Sequence, residues 1–106
     1  MNSDIGAASL KLHAEHNGKI GVQTKVPLKT RADYSLAYTP GIGTVALETA
    51  KEPAKLNKLS VRGNAVAVIS DGSAVLGLGN IGPYGAYPVM EGKAAIFKAL
   101  ANIDAW

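Results

Sequence analysis

No cysteine occurs among the 106 residues. That absence removes a disulfide framework, a thiolate nucleophile and any zinc site held by thiolates. Arginine is scarce as well: Arg31 and Arg62 are the only two, and aromatic residues make up 6% of the chain. A nucleic-acid surface calls for clustered Arg and Lys with rings for stacking, so nucleic acid is not the expected partner. Long hydrophobic runs are missing too. The longest uncharged stretch, Gly72 to Met90, carries five glycines and two prolines and cannot be a membrane helix. Met1-Asn2-Ser3-Asp4 lacks the basic start of a secretory leader, and residues 5–12 are too few and too mixed for its apolar core. A cytoplasmic protein that does not meet a membrane is the expectation.

What remains is an ordinary balance, 47% apolar and 18% charged, which excludes a disordered tail or a coiled coil. The length allows one small domain. Such a chain buries only about 60–65% of its unfolded surface, so its core is small and self-association or further chain is expected to add stability. The net charge of +3 is a local surplus: residues 11–62 hold nine Lys and Arg against four Asp and Glu, or +5. Spread over fifty residues, that charge serves solubility.

Local patterns predict the elements. Ser3-Asp4 reads as a cap with a first-turn acid, Ile5, Ala8, Ser9 and Leu12 share a helical face, and Asn17-Gly18 stops it, giving a helix over about 4–16. Residues 19–26 alternate apolar and polar as a half-buried strand does, and Pro27 ends it. Residues 29–33 read as polar connection, Thr39-Pro40-Gly41 as a turn, and Thr44–Lys51 as a helix. Pro53 suits the start of a short helix anchored by Leu56 and Leu59. Residues 65–70 form a β-branched run, and 73–77 a second run joined to it by Asp71-Gly72, a hairpin signal. Pro88 opens a helix over about 88–103 whose stripe is Val89, Lys93, Ile96, Leu100 and Ile103. The fold class is α/β, a small mixed sheet flanked by helices.

Lys93 is the fifth position on an otherwise aliphatic stripe. Burial there disfavours the ammonium and makes a general base or Schiff-base nucleophile. A rim lysine that snorkels has the same spacing, and spacing alone favours it. Gly77-Leu78-Gly79-Asn80-Ile81-Gly82 matches G-x-G-x-x-G, with Asp104 about twenty residues on. Against a dinucleotide site stand the predicted hairpin, the delay of the helix by Pro83 and Gly85, and the placement of Asp104 at a helix end. A structural glycine loop fits at least as well. Tyr38 on its turn is a candidate proton donor or a packed ring. Asp71 serves the hairpin turn. His13 and His16 share a helix face without an evident third metal ligand. Arg31 with Lys29 could meet a carboxylate, although no spacing demands it.

Three segments together carry a resemblance. Ser35-Leu36-Ala37-Tyr38-Thr39-Pro40-Gly41 resembles the first signature of bacterial malic enzymes. Asp71-Gly72-Ser73-Ala74-Val75-Leu76-Gly77-Leu78-Gly79-Asn80-Ile81-Gly82-Pro83 resembles the second, and Pro88-Val89-Met90-Glu91-Gly92-Lys93-Ala94 the third. The similarity runs through essentially the whole chain in order. Ala74 stands where the larger eukaryotic branch has an arginine, which fits the small bacterial branch.

The resemblance implies a malic enzyme N-terminal domain over 1–106, truncated before the NAD(P)-binding domain. It implies oxidative decarboxylation of (S)-malate to pyruvate and CO2 in the complete protein, with NAD or NADP and Mg²⁺ or Mn²⁺. By motif match Tyr38 is the general acid and Lys93 the general base, which reverses the weighting of Lys93. The metal ligands and the dinucleotide site lie outside this chain, so no cofactor is expected bound to it and activity is not expected from it alone. Gly77–Gly82 then shapes the active-site cleft. A homodimer is implied. The alternatives are an oxaloacetate decarboxylase or malolactic enzyme on the same scaffold, a non-catalytic (engineered) dimerisation domain, and a small dinucleotide-binding protein.

Overall fold

The computed structural model describes residues 3–106. The elements are α1 (Ser3–His16), α2 (Arg31–Ala37), α3 (Ile42–Lys51), α4 (Leu56–Leu59), β1 (Ala65–Val66), α5 (Gly82–Ala101) and β2 (Asp104–Ala105). Single 3₁₀ turns occupy Pro53–Lys55 and Val61–Asn64. The expected α/β class holds as a helix-rich fold with a two-stranded sheet. The chain divides into two compact units, Val22–Ala65, and the residues up to Gly21 together with Val66–Trp106.

The 22–65 unit carries α2, α3, α4 and both 3₁₀ turns, and its first residues, 22–30, are irregular. Residues 29–33, expected as connection, instead launch α2. Thr30 Oγ1 accepts the Asp33 N–H at 3.1 Å, and Asp33 Oδ2 accepts the N–H groups of Lys29 and Thr30 at 3.0 Å each. This capping box satisfies donors that a helix start leaves orphaned. The same backbone bonds, from Thr30 first and then Lys29, hold the Asp33 carboxyl below its usual range. Pro53 opens the 3₁₀ turn before α4, as expected, and Lys55 pairs with Glu48 at 2.6 Å and Glu52 at 3.7 Å. These pairs are exposed and contribute little to stability.

In the other unit α1 ends where the glycine predicts. Gly18 takes φ +92° and donates its N–H to the His13 carbonyl at 2.9 Å. The strand expected over 19–26 does not form. Among the described residues it has no partner strand, Gly21 interrupts it, and Val22 is exposed.

The hairpin at Asp71-Gly72 does not form either. The chain leaves β1, crosses through α5 and returns beside it. The Trp106 N–H donates to the Val66 carbonyl at 3.0 Å, and its carbonyl accepts the Val68 N–H at 2.7 Å. That slanted pattern is the parallel one, so this is a β-α-β unit. Helix α5 begins six residues before Pro88, with Pro83 in the first turn, where its missing N–H is harmless. Pro88 lies inside the helix. Asn102 closes it in the left-handed conformation, and the Lys98 ammonium bonds Asp104 at 2.7 Å, tying β2 to α5. The buried apolar residues among those described are Val75, Ala86 and Ala94, so the core is drawn from the 71–82 loop and α5. The stripe expected to be buried is not covered within the chain: Ile96 is 59% and Leu100 83% exposed. No helix among the described residues is long and apolar enough to cross a membrane.

Candidate active site

Tyr38 sits at the C-terminal cap of α2, at the junction with α3. Its N–H donates to the Tyr34 carbonyl at 2.8 Å and its own carbonyl accepts the Ile42 N–H at 2.6 Å. The Thr39–Pro40 peptide is cis, and the Gly41 N–H donates to the Ser35 carbonyl at 2.9 Å. The main-chain hydrogen bonds of Tyr38 and Gly41 hold the backbone on both sides, and Tyr38 itself is 65% exposed. A proton donor must reach a reacting atom, and this placement keeps the hydroxyl accessible.

Lys93 lies on α5 in the other unit and is exposed. It ends a shallow groove otherwise lined by Ile96, Phe97, Leu100 and Ala101. The aliphatic companions read from the sequence are thus beside it, as one wall rather than an enclosure. A base placed so has an apolar surface for its stem and an open direction for its amine.

The glycine segment departs from its three sequence-based expectations together. A strand precedes it, α5 starts at Gly82 itself, and Asp104 lies in the second strand. The topology is that of a dinucleotide fingerprint, yet the first two donors of the helix start are not on offer. The Gly82 N–H donates to the Gly72 carbonyl at 3.0 Å, Pro83 has none, and the backbone of Gly72 lies across the helix start. A Cβ on Gly72, at φ +75°, would fall 1.9 Å from the Gly82 carbonyl oxygen. A phosphate cradle needs those N–H groups free. The Asp104 carboxylate holds Lys98.

Asp71 closes a local turn rather than a hairpin. Its Oδ1 accepts the Ser73 N–H at 2.9 Å, and that bond holds the carboxyl below its usual range. A group with a depressed folded-state pKa stabilises the fold above its unfolded pKa and loses that contribution as pH falls through the folded value. Asp71→Asn keeps the acceptor without the charge. It is expected to flatten the acid side of the stability profile below about pH 4, read by urea unfolding at several pH values; an unaltered acid limb would contradict this.

His13 and His16 do not form a metal pair. Their Nδ1 atoms bond the Ser9 and Leu12 carbonyls at 2.7 and 2.9 Å, and His13 Nε2 meets the Lys19 ammonium. No group of three or more His, Cys, Asp or Glu among the described residues is arranged to hold a metal ion. Arg31 opens α2, and Lys29 contributes its N–H to the Asp33 cap. Glu91, which the sequence does not single out, accepts the main-chain N–H of Lys19 on its carboxylate at 3.1 Å.

The profile of the malic enzyme N-terminal domain matches residues 17–106, which contain both Tyr38 and Lys93. The chain belongs to the malic enzyme family. Relatives bear this out along its length. The NADP-dependent malic enzyme of Escherichia coli is 54% identical over 105 residues, 98% of this chain and 14% of its own. The bifunctional malic/malolactic enzyme of Bacillus subtilis is 46% identical over 98 residues, 92% of this chain and 24% of its own. The crystal structure of the NAD-dependent malic enzyme of Thermotoga maritima superposes with a TM-score of 0.88 at 56% identity, over 92% of this chain and 27% of that one. The chain thus spans about a quarter or less of these malic enzymes. The fold agrees with that of malic enzyme N-terminal domains, and the family's named members are NAD- and NADP-dependent enzymes.

Proposed function

We infer that this chain supplies the proton-transfer groups for oxidative decarboxylation of (S)-malate to pyruvate and CO2 in a full-length malic enzyme. The observation that carries it is Lys93 at the end of an apolar groove, on the third motif of a segment matched to the family over residues 17–106. Lys93, exposed at a groove it shares with Ile96, takes the proton of the C2 hydroxyl. Tyr38 gives a proton to C3 of the enolpyruvate left after CO2 departs, so one proton leaves the substrate and one enters it.

Oxidation at C2 is the chemistry that NAD or NADP supplies when bound. The Gly82 N–H is taken by the Gly72 carbonyl, and the dinucleotide, like Mg²⁺ or Mn²⁺, is assigned to other parts of the enzyme. The exposed apolar side chains of α1 and α5, Ile5, Leu10, Ile96 and Leu100 among them, are the basis for a homodimer. Light scattering at high micromolar concentration is expected to give twice the chain mass, and a monomer would remove that assignment. The setting is the cytoplasm.

The decisive assay incubates full-length enzyme carrying this chain with malate, NAD or NADP and Mn²⁺. Reduced nicotinamide is expected to appear in step with pyruvate. The Bacillus subtilis relative favours one second reading, a malolactic enzyme, which would yield lactate without net reduced nicotinamide. Decarboxylation of oxaloacetate with no turnover of malate would assign the scaffold to a decarboxylase.

A further inference from the structure

We propose that Glu91 is a positioning residue for Lys93, latching the loop after α1 to the turn of α5 that carries the lysine; the proposal rests on Lys93 as the base. Glu91 Oε1 accepts the main-chain N–H of Lys19 at 3.1 Å and lies 3.9 Å from the Lys19 ammonium. The Glu91 side chain is only 14% exposed, an unusual position for a carboxylate on a helix with so few buried residues.

The surrounding backbone is shaped for this contact. A Cβ on Gly18 would sit 2.5 Å from Glu91 Oε2, and Gly18 holds φ +92°, so glycine serves both the turn and the approach of the carboxylate. The Lys19 stem continues the contact along α5: its Cε is 3.6 Å from where a Cβ on Gly92 would be. The Lys19 ammonium then reaches His13 Nε2, and the His13 ring is fixed by its Nδ1 bond to the Ser9 carbonyl. The connection from α1 to α5 is therefore made of a loop N–H, a carboxylate and a lysine held at both ends.

Helix geometry converts this into control of the base. Glu91 and Lys93 are two residues apart, about 200° around the axis, so Glu91 holds the side of α5 away from the Lys93 groove. Fixing one side fixes the other. A roll of about 10° would move a group about 6 Å from the axis by about 1 Å. A misplacement of that size at a reacting centre lowers rate by as much as about 100-fold.

The test compares Glu91→Ala, Glu91→Gln and Gly18→Ala with Lys93→Ala in a full-length malic enzyme carrying this chain. Glu91→Ala is expected to lower kcat by about 10- to 100-fold, with KM for malate within about threefold. Glu91→Gln keeps an acceptor for the Lys19 N–H and should recover kcat to within about threefold of the parent. Gly18→Ala places a methyl group where the carboxylate lies and should track Glu91→Ala. Should Glu91→Ala not fold, Glu91→Asp, one methylene too short, should show the same fall in kcat. Parental kcat in Glu91→Ala beside an inactive Lys93→Ala overturns the latch alone. So does a change confined to KM, or a Glu91→Gln variant as slow as the alanine. An active Lys93→Ala overturns the base assignment and the latch with it.

Discussion

Lys93→Ala in a full-length malic enzyme carrying this chain is expected to lower malate turnover by about 10²- to 10⁴-fold. The substitution removes an amine and leaves the α5 backbone as it is, since alanine is the best helix former. Lys93 is exposed in this chain, so its loss uncovers no buried charge and should leave the folded state intact. The effect should therefore fall on kcat rather than on the unfolding midpoint. Circular dichroism and steady-state kinetics on the same preparation separate the two. A variant with near-parental turnover would contradict the assignment of the base.

Tyr38→Phe is the second large expectation, and it isolates one half-reaction. The ring and its place at the α2–α3 junction persist, because the bonds that hold residue 38 are all main-chain. What disappears is the hydroxyl. Protonation of C3 should slow by about 10²- to 10⁴-fold, and by reversibility so should removal of a methyl proton from pyruvate. Exchange of the pyruvate methyl hydrogens with deuterium from solvent, followed by NMR, reads that step without oxidation at C2. Exchange as fast as the parent's would move the proton-donor role to another residue.

Sequence legibility varied with the range of the interactions. Helices α1 and α3 and the body of α5 were readable because periodicity and caps act within a few residues, whereas Pro88, expected to open α5, lies inside it. Helix α2 carries its capping signal, Thr30-x-x-Asp33, in plain view, but a polar first turn has the same composition as a connecting loop. The strand over 19–26 failed for the opposite reason. Alternation describes a surface suited to pairing, but it supplies no partner. The parallel pairing of Val66 and Val68 with Trp106 joins residues nearly forty apart, so the Asp-Gly pair between them read locally as a hairpin.

The candidate site shows the same division. Tyr38 and Lys93 stood out by residue type and by resemblance, and both are exposed. The enclosure of Lys93 did not follow from its stripe. Spacing aligns Ile96 and Leu100 with the lysine, but burial requires a second surface over that face, and the chain does not provide one. Glu91 was invisible because its partner is a main-chain N–H seventy-two residues away, a contact no side-chain pattern encodes.

The most direct measurement on the proton-accepting role of Lys93 is chemical rescue. Small primary amines are added to the Lys93→Ala full-length enzyme turning over malate. Recovery of turnover that rises with amine concentration and with the fraction of amine unprotonated is the predicted result. A Lys93→Ala enzyme that is inactive at every amine concentration and pH, or one that never lost activity, would contradict it.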